Sequence, residues 1–91
     1  MNQLAVLIRV LGRVQGVSFR VGALSVAESL QLSGWVRNLG DGSVELHAEG
    51  DLSHLQKLIE WCGQGPPSAS VSNIKTDWIP PRGLNGFRIM R

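Results

Sequence analysis

The stretch Gly12-Arg13-Val14-Gln15-Gly16-Val17-Ser18-Phe19-Arg20 constrains the fold more than any other. Before it runs an apolar segment, Leu4 to Leu11; after it, a helical pattern begins near Phe19. The stretch therefore reads as the turn that carries a strand into a helix. Its two glycines permit the sharp backbone bends such a turn needs. Arg20 falls at or just inside the helix N-terminus, where backbone N–H groups lack partners and the helix dipole adds positive charge. A guanidinium beside free amides is a compact anion site suited to phosphate. Arg20 is the one charged residue between Val14 and Val21. Known nucleotide loops are excluded. No Lys follows either glycine as a Walker loop requires, and the spacing of Gly12 and Gly16 does not fit a dinucleotide fingerprint. An ordinary strand-to-helix turn with a solvated arginine stays open on composition alone.

Leu4 to Ile8 is apolar without a break, which predicts a central strand. Phe19, Ala23, Val26, Ala27 and Leu30 form the stripe of an amphipathic helix, with Ser18 as its expected cap and an end expected after Leu32-Ser33. Residues 34–49 predict a β-hairpin. Trp35 to Asn38 is one strand, Asp41-Gly42 lies in the turn, and Val44, Leu46 and Ala48 alternate with Glu45, His47 and Glu49 on the return strand. That alternation predicts a half-buried strand with His47 solvated. A second helix opens at Gly50-Asp51-Leu52-Ser53, capped by Asp51 or Ser53, with Ser53 and Gln56 as a possible capping box. Its stripe is Leu55, Leu58, Ile59 and Cys62, and Gly63 to Pro67 stops it. An extended segment runs from Ala69 to Trp78, with Val71 and Ile74 expected on opposite faces. After the break Pro80 to Gly83, Phe87-Arg88-Ile89 predicts a short last strand.

The order is strand, helix, strand, strand, helix, strand, plus a short terminal strand. This is the α+β class, a ferredoxin-like split βαβ sandwich: an antiparallel sheet with two helices on one face. The first and second strands are expected to run antiparallel, so the pattern by itself does not bring Asn38 beside Arg20. The 91 residues suit a single domain, 1–91, with one modest core. No apolar stretch is long enough to span a membrane and no signal-peptide pattern is visible, so a cytoplasmic protein is expected. A net charge of +2, spread along the chain, gives nucleic acid or membrane little to attract. Cys62 is the sole cysteine, which rules out an intrachain disulfide.

Gly12 to Arg20 resembles the first signature of the acylphosphatase family. Gly34-Trp35-Val36-Arg37-Asn38, followed by Asp41-Gly42-Ser43-Val44-Glu45, resembles its second. Both stand in the family's order and at a similar separation, and weaker similarity continues through Gly65-Pro66-Pro67 to Gly86-Phe87-Arg88-Ile89. The resemblance implies the same fold and a hydrolase of acyl phosphates without metal or other cofactor. It implies that Arg20 and the backbone amides of Gly16, Val17, Ser18, Phe19 and Arg20 hold the phosphoryl group. Asn38 would position the attacking water. A small acyl phosphate is then the partner, phosphate or sulfate fits the loop, and a monomer is expected. Ser18 stands where many members have Gly, and Val21 where an aromatic often follows the arginine. These departures bear on rate and substrate preference.

The chemistry is consistent with so few groups. A carboxylate leaves without a strong general acid, and phosphoryl transfer rests on positioning and on stabilising negative oxygens. An amide such as Asn38 can orient water but is no strong base. His47, His54 and Cys62 lack zinc-ligand spacing. Cys62 on an apolar stripe does not suit a nucleophile. The alternative is a non-catalytic phosphate- or RNA-binding module of the same fold. Neither the first strand nor Val44 to Ala48 carries an aromatic residue for base stacking, which weighs against RNA.

Overall fold

The computed structural model describes residues 3–90, so the extreme ends of the expected 1–91 domain lie outside the described residues. The elements are β1 (Leu4–Arg13), α1 (Phe19–Ser29), β2 (Ser33–Asn38), β3 (Val44–Gly50), α2 (Leu52–Gln64), β4 (Ser70–Ile79) and β5 (Phe87–Ile89). They build one five-stranded sheet in the order β4-β1-β3-β2-β5. Val6, Ile8 and Val10 of β1 pair with Ala48, Leu46 and Val44 of β3, so their side chains share a face. Phe19, Ala23 and Ala27 of α1 and Leu55, Leu58 and Cys62 of α2 complete the core on that face. Alanine at two buried α1 positions lets the helix lie close to the strands. Burial pushes the Cys62 thiol up to about 12, which keeps it protonated and inert.

Two strand directions differ from the expectation. β1 and β2 both pair antiparallel with β3, which lies between them, so they run parallel to each other. The sheet is also mixed, because β5 pairs parallel with β2. The path of the chain explains the second point. β4 ends at Ile79 opposite Ala5, which faces Glu49, which in turn faces Ser33 at the start of β2. The strap between β4 and β5 crosses the sheet at that same end. It therefore enters β5 beside the start of β2, with Gly34 donating its N–H to the Gly86 carbonyl at 2.9 Å, and must point the way β2 points.

The polar side of β3 is buried, against the expectation of a solvated His47. His47 is 2 % exposed and Glu49 1 %. The Trp35 ring stacks on His47 at 5.7 Å, and Arg37 lies over Trp35 while bonding Glu45 at 2.7 and 2.9 Å. Glu49 accepts from His47 Nε2 at 2.7 Å and from the strap amides of Arg82, Gly83 and Leu84 at 2.7–3.1 Å. An ionised carboxylate can only accept, so His47 carries its proton on Nε2. A period of two thus reported the two faces of β3 correctly, but polarity did not mean exposure. Each buried polar group there has a partner.

Glu49 has a consequence for acid stability. Burial pushes its pKa up, but the hydrogen bonds from His47, Arg82 and Leu84 outweigh burial and hold the carboxyl below its ordinary 4.5. A lowered folded value stabilises the fold fully above the ordinary value, and that contribution is lost as pH falls through the folded value. Unfolding free energy should therefore decline below pH 4.5. Glu49→Gln should lose about 2–3 kcal/mol at pH 7, since an amide hydrogen then faces donor N–H groups. Its acid dependence should be flatter than that of the natural chain, as read by urea unfolding at pH 7 and pH 3.

Several local expectations also change. Helix α1 stops at Ser29, short of Ser33. Gln31 takes a left-handed φ of 56°, and the Leu32 N–H returns to the Ala27 carbonyl at 2.9 Å. This left-handed closure ends the helix without a glycine. Asp51 occupies the N-cap of α2, yet its side chain caps nothing, and the Ser53–Gln56 box does not form. Val71 and Ile74 pack against the same core, because a bulge shifts the register between Leu11 and Gly12. One unpaired residue in β4, Ser72, turns Val71 to the side of Ile74.

Candidate active site

The strand-to-helix turn is shorter than its sequence suggested, because Gly12 and Arg13 extend β1. What remains, Val14 to Ser18, is a loop with Gly16 at φ 73° and Ser18 at φ 62°, both left-handed. Left-handed backbone in a short loop turns successive amides toward one concavity, the geometry of an anion nest. Ser18 sits at the N-cap of α1 but lacks the extended conformation of a capping residue, and its hydroxyl bonds no helix amide. The expected serine cap is thus absent, and the amides it would have covered stay open. The first amide bond of the helix runs from Gly22 N–H to the Ser18 carbonyl at 3.1 Å. Among the described residues, the amides of Gly16, Val17, Ser18, Phe19 and Arg20 have no protein acceptor.

Arg20 is the second residue of α1. Asn38 is the last residue of β2, opposite Val44 of β3, which is itself opposite Val10 of β1. The parallel run of β1 and β2 thus puts the end of β2 at the sheet end where β1 enters the loop. Val14, Gly16, Ser18, Phe19, Arg20, Val21 and Asn38 line one cleft of about 300 Å³. Val17 is not among its lining residues; its side chain packs against the core. Among the described residues, neither the Arg20 nor the Asn38 side chain is bonded to another protein group. An unpaired guanidinium, open amides and a carboxamide facing one cleft can bind a tetrahedral anion and a water together.

Two residues outside the expected set hold the loop. Gln15 reaches the β2–β3 turn, donating to the Leu39 carbonyl at 2.8 Å and the Ser43 carbonyl at 2.9 Å. Ser68, beyond α2, donates from its hydroxyl to the Val17 carbonyl at 3.1 Å. Both contacts cross long stretches of chain, so no local signal reveals them. Gln15 at least stands inside the signature, while Ser68 carries no mark. Beneath the loop, Phe19 packs on Trp61 with ring centroids 5.1 Å apart.

The other sequence candidates lie elsewhere. His47 is on the sheet face away from the helices, bound to Glu49, whereas Cys62 is in the core between helices and sheet. Among the described residues, no three His, Cys, Asp or Glu side chains gather as a metal site would need. No described helix is long and apolar enough to cross a membrane.

The likeness to known proteins agrees with this geometry. The family model for acylphosphatase matches residues 6–89. An acylphosphatase of Thermococcus kodakarensis is 47 % identical over 83 residues, covering 91 % of each chain. The acylphosphatase structure from Coxiella burnetii superposes with a TM-score of 0.94 at 43 % identity, covering 98 % of this chain and 94 % of that one. That from Bacillus subtilis gives 0.94 at 38 % identity, covering 97 % and 99 %. With both signature stretches meeting at one cleft, the chain belongs to the acylphosphatase family, whose activity is the hydrolysis of acyl phosphates.

Proposed function

We propose that the cleft is the active site for that hydrolysis, with Arg20 and the amides of Gly16 to Arg20 holding the phosphoryl group and Asn38 holding the attacking water. The observation that carries this reading is that Arg20 and Asn38, from separate elements, line the same cleft, with side chains that bond no other protein group among the described residues. Arg20 offers two parallel N–H donors to two phosphoryl oxygens, and the loop amides add neutral donors. Asn38 accepts a hydrogen bond from water through its Oδ1 and fixes it for attack on phosphorus. The water oxygen forms the new P–O bond as the P–O bond to the acyl group breaks. The carboxylate leaves with that electron pair, and the proton passes from water to a phosphoryl oxygen. No side chain needs to change protonation state. Inorganic phosphate or sulfate fits the same cradle as product or mimic.

The protein in this reading is a single-domain, monomeric, cytoplasmic enzyme of small acyl phosphates that uses neither metal nor nucleic acid. The mild charge and the Trp35 ring, already engaged by His47 and Arg37, support the last point. The test is hydrolysis of benzoyl phosphate with a chelator present, comparing the natural chain with Asn38→Ala. The expected result is turnover by the natural chain and a loss of about 10²-fold in kcat on removing Asn38, the scale of one lost positioning group. Competitive inhibition by phosphate should survive in Asn38→Ala. A folded natural chain that does not turn over benzoyl phosphate, or an Asn38→Ala variant with full kcat, rejects the assignment.

A further inference from the structure

We infer that Gln15 is a positioning residue that fixes the distance between the phosphate cradle and the residue holding the water. The inference rests on the roles proposed above for the loop and for Asn38. Gln15 directly precedes Gly16, the first amide of the cradle, and its side chain reaches Leu39, which directly follows Asn38. One side chain thus joins the neighbours of the two functional groups. Both hydrogens of its amide are used, one on the Leu39 carbonyl and one on the Ser43 carbonyl. Among the described residues, these two bonds are the hydrogen bonds between the loop Val14–Ser18 and the turn Leu39–Ser43.

The turn does not need Gln15 for its shape. Leu39 donates to the Ser43 carbonyl at 2.8 Å, and Gly42 donates to the Leu39 carbonyl at 3.2 Å. Asp41 Oδ1 accepts from both the amide and the hydroxyl of Ser43, which holds the Asp41 carboxyl below its usual range. Gln15 therefore bonds the remaining lone pairs of two carbonyls in a turn that is already closed. The turn is closed by its own bonds, independently of Gln15. The Gln15 bonds set where the turn, and Asn38 at its edge, stands relative to the loop. In-line attack on a bound phosphoryl group is sensitive to that separation, since a shift of about 1 Å costs about 10²-fold in rate.

The test uses Gln15→Met, which keeps length and removes both donors, and Gln15→Asn, which keeps the amide but is one methylene too short to span both carbonyls. Each is assayed on benzoyl phosphate alone and in the Asn38→Ala background, with inhibition by inorganic phosphate measured throughout. The expected result is a fall in kcat of roughly 10- to 100-fold. Phosphate inhibition should stay within about threefold, because the cradle amides and Arg20 are intact. In the Asn38→Ala background, either change should cost less than about threefold, because the group being positioned is already gone. A merely structural role would weaken phosphate binding and act equally in both backgrounds. Equal losses, undiminished kcat in folded variants, or failure of both variants to fold would each overturn the positioning role. Full turnover by Asn38→Ala alone would instead reject the water-holding assignment, and with it the route from Gln15 through Asn38.

Discussion

Arg20→Ala is expected to reduce kcat/KM for benzoyl phosphate by about 10²- to 10⁴-fold. Two charge-assisted hydrogen bonds at about 1.5–3 kcal/mol each amount to about 3–6 kcal/mol, and each 1.4 kcal/mol is about tenfold. Inhibition by inorganic phosphate should be lost in parallel, because the ground-state anion uses the same fork. This distinguishes Arg20 from Asn38, whose loss should leave phosphate binding in place. Arg20→Lys should fall between the natural chain and the alanine variant. The ammonium keeps the charge, but it cannot span two oxygens in one plane. No internal partner is broken by either substitution among the described residues, so both variants should melt within about 0.5 kcal/mol of the natural chain. Steady-state kinetics with a phosphate titration checks each point. Substantial turnover by a folded Arg20→Ala would place the chemistry outside this cleft.

Gly34→Ala should have the largest effect on stability. Gly34, the second residue of β2, has φ 139°, a conformation L side chains rarely adopt. A Cβ at this position would lie 1.7 Å from the His47 carbonyl oxygen and 2.8 Å from its carbon. Those atoms are backbone of the central strand β3, so they cannot turn aside as a side chain could. Gly34 also bonds the Gly86 carbonyl and pairs with Phe87 of β5, so a shift here disturbs three strands. A loss of more than about 3 kcal/mol is expected, or roughly 12–24 °C in Tm at roughly 4–8 °C per kcal/mol. Thermal unfolding followed by circular dichroism checks it. Gly63→Ala is the matched control. It lies within α2 with nothing within 4 Å of a Cβ, so alanine should stabilise by about 0.5–1 kcal/mol.

Much of the local structure was legible because its signals are short-range. The stripes Phe19-Ala23-Ala27 and Leu55-Leu58-Cys62 marked the buried faces of both helices, since a helix with one apolar side must cover it. The unbroken run Leu4 to Ile8 marked an interior strand, and β1 does lie between β4 and β3. Arg20 could be placed at a helix start because loop and helix are contiguous in the chain. Polarity misled at His47 and Glu49, which looked like a wet face. Burial there depends on Trp35 and on the strap 80–86, which come from elsewhere in the chain. The Val71 and Ile74 faces were misread for a similar reason. A bulge is created by the pairing partner, and β4 shows no mark of it in its own residues.

The order of the elements, the two helix faces and the place of Arg20 at a helix start were readable from the chain alone, as was the expectation of an anion-binding loop. Each of these follows from residues within a few positions of one another, through periodicity, turn chemistry and the open amides of a helix start. The cleft that Asn38 shares with Arg20 comes from long-range strand pairing instead. That meeting requires β3 to pair antiparallel with β1 on one side and β2 on the other, which makes β1 and β2 parallel and brings their C-terminal ends together. Strand direction and order are fixed by hydrogen bonds and burial between distant segments, and no local pattern encodes them. The same holds for the Gln15 bonds across to Leu39 and Ser43, which join two signatures that the chain itself keeps apart.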